Sequence, residues 1–156
     1  MLGDRFKKEY KNIIAKFEDK NSALLSLLHE IQKENGYIKE EDVNELSELI
    51  DLPYSKIKSV LSFYTMYNLK KVGKYHIQVC RNLSCHIAGS NSLMEFIFDK
   101  LKLKENEITE DGMFSLSTVE CLGSCGTAPV IMINDTYHEN MDLEKLERLI
   151  DELRKK

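Results

Sequence analysis

No apolar run in this 156-residue sequence approaches the roughly 20 residues of a membrane-spanning helix. The longest, ALLSLL and PVIMI, are far too short, so no direct membrane insertion is expected. The opening residues, MLGDRFKKEY, lack the apolar stretch of a secretory signal, and a cytoplasmic location is the expectation. An excess of positive charge is also missing. Lys and Arg number 22 against 26 Asp and Glu, and the net charge of −4 has the wrong sign for a protein that coats nucleic acid or an anionic surface. The 7 glycines form no G-x-G-x-x-G after a strand, which removes a dinucleotide fingerprint. Cysteine is scarce, with 4 residues, and neither pair forms the C-x-x-C of a redox-active disulfide at a helix start.

What is present is a chain long enough for one ordinary domain or two small ones, with 42% hydrophobic residues to supply a core. Residues 1–72 carry no strand-like stretch. SALLSLLHEIQKENGYI places Leu24, Leu27, Leu28 and Ile31 at helical spacing, with Asn21 or Ser22 as a cap and Gly36 after the end. EEDVNELSELI repeats the pattern with Val43, Leu46, Leu49 and Ile50 inward and an acidic first turn that suits the helix dipole. LPYSKIKSVLSFYTMY follows a proline and turns Ile57, Val60, Leu61 and Tyr64 inward. With an earlier helix around 4–19, this part reads as a small helical bundle.

The pattern changes at KKVGKYHIQVC, where Lys70, Lys71 and Gly73 mark a linker and the second domain, 73–156, begins. Tyr75, Ile77 and Val79 alternate with His76 and Gln78, as in a half-buried strand. A helix, SNSLMEFIFDKLKL, follows with Ser90 or Asn91 as its cap. MFSLSTVEC alternates again, PVIMIN is a short apolar strand, and TYHEN pairs with it across Asn134-Asp135. The chain ends in an amphipathic helix, LEKLERLIDELRKK. The order predicts an α/β layer of thioredoxin-like plan, preceded by the helical bundle.

CRNLSC and CLGSC place four residues between Cys80 and its partner Cys85 in the first loop, and three between Cys121 and Cys125 in the second, with 35 residues between the pairs. Loops at the ends of neighbouring strands can converge, which makes the four thiols candidate ligands for one metal centre. A reducing cytosol disfavours two structural disulfides. Zinc is compatible with these spacings, but paired zinc knuckles usually organise a tiny domain, and this one has its own sheet and helices. Four thiolates also hold a [2Fe–2S] or [4Fe–4S] cluster. Gly123 and Gly126 would let backbone N–H groups approach the sulfurs, with Ser84 and Ser124 as further donors. The same glycines equally suit a plain turn.

DGMFSLSTVECLGSCGTAP resembles the signature of the thioredoxin-like [2Fe–2S] subunit of respiratory complex I and its relatives. The likeness lies in Asp111, Phe114-Ser115, Cys121-Leu122-Gly123, Cys125, Ala128-Pro129 and the spacing of all four cysteines. HEIQKENGYI, SFYTMY and the terminal helix extend it over nearly the whole chain. The resemblance implies a [2Fe–2S] cluster with Cys80 and Cys85 on one iron and Cys121 and Cys125 on the other. It implies a one-electron carrier in an NAD(P)H-linked oxidoreductase, either an NADH-quinone oxidoreductase, a formate dehydrogenase or a hydrogenase that can be electron-bifurcating. The partners it implies are a flavin- and NAD(P)-binding subunit and further iron–sulfur subunits. With no dinucleotide fingerprint here, flavin and nicotinamide belong to that partner, and no acid, base or nucleophile is required of this chain.

Other features carry less. EEDVNELSELIDLPYSKIKSVLSFY could pass for a helix-turn-helix, and a zinc-stabilised or helix-turn-helix interaction protein is the alternative from another class. Its second helix offers only Lys56 and Lys58, and the first is acidic, so no nucleic acid is expected as partner. Phe63, Tyr64, Met66 and Tyr67 cluster at its end, mostly for the core, with interface use for the remainder. His86 follows Cys85 but is redundant beside four cysteines, and His29, His76 and His138 form no constellation. Ala128-Pro129 can adopt either peptide isomer.

Overall fold

Apolar stripes at helical spacing build the first of two compact units, Met1–Lys71, in a computed structural model that describes residues 2–155. Its helices are α1 (Asp4–Ile14), α2 (Lys20–Asn35), α3 (Glu40–Ile50) and α4 (Tyr54–Phe63). Helix α2 buries Ala23, Leu24, Leu27, Leu28 and Ile31, and these meet Val43, Leu46, Ile57 and Leu61 in one core. Its cap is Asp19 rather than Asn21 or Ser22. Asp19 has the extended backbone a cap needs and accepts the Asn21 N–H at 3.2 Å, whereas Asn21 and Ser22 are already helical. Gly36 ends the helix with φ of 78°, in line with its position in the sequence.

The aromatic cluster after α4 is placed differently from expectation. Phe63 and Met66 are 76% and 52% exposed, and only Tyr67 is buried. Tyr64 lies outside because the helix ends at Phe63 and Tyr64 is extended, which carries its side chain off the inward face. Tyr67 donates its phenol to the Leu25 carbonyl at 2.9 Å. Burial pushes that phenol up to about 12, so it stays a donor. Gln32 anchors the same segment, donating to the Met66 carbonyl at 2.9 Å and accepting the Asn68 N–H at 2.6 Å. Of the two lysines on α4, Lys58 is paired with Glu40 at 2.8 Å, which further weakens a DNA-reading role for this helix pair.

The second unit, Val72–Lys156, alternates strands and helices. In order they are β1 (Tyr75–Cys80), α5 (Leu83–Ile87), α6 (Ser90–Leu101), β2 (Phe114–Val119), a 3₁₀ turn (Cys125–Thr127), β3 (Ile131–Ile133), β4 (Thr136–His138) and α7 (Leu143–Arg154). The sheet order is β2-β1-β3-β4. Strand β1 pairs in parallel with β2 and antiparallel with β3, and β3 forms the expected hairpin with β4 across Asn134. Ile77, Val79, Leu116 and Ile131 of the sheet join Leu93 and Ile97 of α6 and Leu146 and Ile150 of α7 in one core. Among the described residues no helix is long and apolar enough to cross a membrane.

Two local expectations are corrected. Helix α6 starts from Gly89, with φ of 101° and no side-chain cap, and Ser90 is buried in the first turn instead of capping it. Gly73 is more than linker. It is buried, its N–H donates to Ser115 Oγ at 2.9 Å, and a Cβ there would stand 2.4 Å from the Phe114 carbonyl carbon. Gly73→Ala should therefore destabilise this unit by about 1–3 kcal/mol, through overpacking against backbone. Calorimetry on the variant checks it, and an unchanged unfolding temperature would contradict the packing argument.

His76 on β1 shares a 2.8 Å hydrogen bond between its Nε2 and Ser117 Oγ. Burial holds its pKa below the ordinary 6.5. The unfolded chain therefore takes up a proton first as pH falls, and the stability present above about pH 6.5 is lost as pH drops through the folded pKa. His138 shifts in the same direction for the same reason. The unfolding temperature should fall with acidification just below pH 6.5, and fall less steeply in His76→Gln. Equal acid sensitivity of the two proteins would remove His76 from the account.

Candidate metal centre

The topology brings the four cysteines to one edge of the sheet. Strands β1 and β2 run parallel, so their C-terminal ends share that edge, and Cys80 is the last residue of β1, opposite Val119. Strand β3 runs the other way, so its start lies there too, beside the Cys80 N–H, which donates to the Val130 carbonyl at 3.3 Å. Cys121 follows β2 by two residues, and Cys125 opens the 3₁₀ turn that leads through a cis Ala128-Pro129 bond into β3. The carboxyl ends of parallel strands are the usual ligand-binding edge of such sheets.

Cys85 lies in the short helix α5 rather than in a loop. Asn82 is extended before it, and the His86 N–H donates to the Asn82 carbonyl at 2.8 Å. The turn buries Cys85 while Leu83 and Ile87 face outward, 70% and 77% exposed. His86 is exposed as well. The two cysteine loops are clipped together just beyond the strand ends. The Arg81 N–H donates to the Val119 carbonyl at 3.0 Å, and the Arg81 guanidinium pairs with the Glu120 carboxylate. That ion pair is exposed, so it orients the loops more than it stabilises them.

Burial divides the four thiols, none of which is in a disulfide, into two kinds. Cys80 and Cys85 are each 1% exposed and pack with Val130, Val119, Leu122 and Ala128. Cys121 and Cys125 are exposed. Burial pushes the Cys80 thiol up, but hydrogen bonds from the Asn82 and Leu122 N–H groups and from the Cys85 and Cys121 side chains outweigh it, and the net shift is downward. The Cys85 thiol moves up, through burial first and the Cys80 side chain second, against an opposing hydrogen bond from the Val130 N–H. The charge of Cys125 also acts on Cys85. Cys80 is thus the readier thiolate of the buried pair.

These donors suit a thiolate-bound metal group. The thiols are soft ligands, and backbone N–H groups are already turned towards sulfur. The Gly123 N–H donates to Cys121 Sγ at 3.3 Å, and because a Cβ there would meet nothing within 4 Å, the glycine serves the left-handed φ of 75° rather than a close approach. The side chains are gathered but not drawn into a cage. Among the described residues no set of three or more His, Cys, Asp or Glu side chains is already closed around a metal position.

Sequence reasoning misses three parts of this region. Helix α5 is too short for periodicity to reveal. The Arg81–Glu120 clip is visible only once the β1–β2 register is known, because it joins the residues one step past each strand end. Ser124 is no donor to sulfur, contrary to expectation, because its hydroxyl meets the Glu139 carboxylate and Thr127 Oγ1 instead. Asp111, part of the family-like signature, accepts from Thr109 Oγ1 at 2.5 Å and from the Met113 N–H at 2.9 Å, so it shapes the turn into β2.

Known proteins resemble this chain in sequence and in fold. A family model described as thioredoxin-like [2Fe–2S] ferredoxin matches residues 10–154. The chain belongs to this family, a class whose cofactor is a [2Fe–2S] cluster. Among individual relatives, an NADH-quinone oxidoreductase subunit of Rickettsia bellii is 44% identical over 147 residues, covering 92% of this chain and 88% of the relative. Another NADH-quinone oxidoreductase subunit, from Thermus thermophilus, is 41% identical over 138 residues, 88% of this chain and 76% of that one. A crystal structure of an NAD+-reducing [NiFe]-hydrogenase in the H2-reduced state superposes with a TM-score of 0.74 at 22% identity over 85% of this chain. This chain spans only 22% of that hydrogenase chain, and the likeness there is one of fold.

Gly123→Ala forces a left-handed backbone on an alanine, at a cost of about 1–2 kcal/mol, in the loop that presents Cys121. Iron should leave the variant faster, read as bleaching of visible absorbance under a chelator. Wild-type kinetics would show that this glycine serves only a turn.

Proposed function

We propose that Cys80, Cys85, Cys121 and Cys125 hold one [2Fe–2S] cluster, the first two on one iron and the last two on the other. The chain then acts as a one-electron carrier subunit of an NAD(P)H-linked oxidoreductase complex in the cytoplasm, and it trades electrons with a flavin-containing partner. The observation that carries this reading is the gathering of four free thiols at one sheet edge, with N–H groups directed at the sulfurs of Cys80, Cys85 and Cys121. Family membership over residues 10–154 supports the choice of iron and sulfide over zinc. The relatives named as NADH-quinone oxidoreductase subunits support the type of complex, and the fold shared with an NAD+-reducing hydrogenase keeps a hydrogenase as the second setting.

When bound, the cluster supplies a one-electron couple. The protein's own residues do the rest. Val130, Val119, Leu122 and Ala128 keep water from Cys80 and Cys85. The N–H groups of Asn82, Leu122, Gly123 and Val130 offset negative charge on sulfur. The exposed pair, Cys121 and Cys125, leaves one side of the centre open for a partner's redox group to approach. A flavin can take a hydride as two electrons and pass them on singly, which is why a one-electron carrier belongs beside it.

Protein purified without oxygen should contain two irons and two sulfides per chain. Cys121→Ser should lose that content and the visible absorbance while far-ultraviolet circular dichroism keeps the helical signal. A colourless wild-type chain with one zinc, or a full [2Fe–2S] spectrum in Cys121→Ser, would overturn the assignment. In the native complex NADH or NADPH should reduce the cluster, and neither should reduce it in the isolated chain.

A further inference from the structure

The exposed cysteine pair needs a means of support that the buried pair does not. Cys80 and Cys85 are fixed by the packing around them. Cys121 and Cys125 are exposed, and the four residues from Leu122 to Cys125 lie in no strand. The Cys121 end is held by β2 and by the Arg81–Glu120 clip. The Cys125 end has neither.

A carboxylate from the far side of the β3–β4 hairpin reaches it. One oxygen of Glu139 accepts from the Ser124 hydroxyl and, at 2.8 Å, from Thr127 Oγ1. The two hydroxyls are 2.7 Å from each other. Next to this, the Asn140 N–H donates to the Thr127 carbonyl at 2.7 Å and the Met141 N–H to the Pro129 carbonyl at 3.0 Å. The segment 139–141 therefore runs as a backstop along 124–129, and the Glu139 side chain ties it to the residue that precedes Cys125. Ser124 spends its hydroxyl on this carboxylate and not on a sulfur.

We infer that Glu139 is a positioning residue for the metal centre: it latches Ser124 and Thr127 and so fixes the direction in which Cys125 presents its thiol. The inference rests on the cluster reading above, but the latch itself belongs to the chain alone. What Glu139 supplies is acceptor geometry. A glutamine, whose amide oxygen also accepts two hydroxyl hydrogen bonds, should replace it, and an alanine should not.

The test compares Glu139→Ala, Glu139→Gln and the double variant Ser124→Ala/Thr127→Val with wild type, all with the cluster loaded. Under a chelator, Glu139→Ala and the double variant should lose visible absorbance on the order of 10-fold faster, the scale typical of groups that orient metal ligands. Glu139→Gln should stay close to wild type. Adding Glu139→Ala to the double variant should change nothing further, because the three groups act as one unit. In the metal-free chain, amide hydrogen exchange at 124–127 should quicken in Glu139→Ala and be restored in Glu139→Gln, with α6 and the sheet unaffected. If the alanine variant keeps wild-type chelation and exchange rates, or if glutamine is as damaging as alanine, the latch is refuted. If wild type itself carries no iron, the cluster reading fails while the exchange comparison still decides the latch.

Discussion

The parallel pairing of β1 with β2 is the constraint on which the site depends. Its register runs from Tyr75 opposite Phe114 to Cys80 opposite Val119. A slip of one residue would turn Ile77 and Val79 out of the core, and it would separate Arg81 from Glu120 just beyond the strand ends. The antiparallel β3 adds its start to the same edge, so three stretches of backbone end or begin there. No single loop has to be long for four thiols to reach that edge. The sheet does the gathering, and the core beneath it, from Ile77 to Ile150, holds the sheet in place.

The two cysteine pairs then divide along the boundary between core and surface. The buried pair sits among apolar side chains and receives backbone N–H groups, which separates the two thiols in acidity. The exposed pair is shaped by a left-handed glycine, a 3₁₀ turn and polar contacts from neighbouring segments. In the proposed arrangement the first pair gives the centre a dry anchor and the second an accessible face. A carrier that must be both held and reached needs this asymmetry, since an electron partner has to come close to a group that water must not dissolve away.

Much of this was legible in the sequence, for definite reasons. Leu24, Leu27, Leu28 and Ile31 announce α2 because they recur at the spacing of one buried helix face, and Ile77 and Val79 announce β1 by alternation. The four cysteines stand out by scarcity, and the residues from Asp111 to Pro129 are specific enough to point to the family. What stayed hidden depends on partners distant in sequence. Tyr64 leaves the core because α4 ends one residue early, Gly73 is pinned by Phe114 and Ser115, and Glu139 reaches Ser124 only because the β3–β4 hairpin folds back. A cap at Asp19 instead of Asn21 reflects competition between adjacent polar residues that a local reading cannot rank.

The central claim is that these four sulfurs, and no other atoms of the chain, hold two irons. Iron K-edge X-ray absorption on the oxygen-free native protein tests it most directly. The account predicts an iron neighbour for each iron and a shell of four sulfurs with no light atoms, as an all-cysteine [2Fe–2S] centre requires. A nitrogen or oxygen ligand on either iron would contradict it.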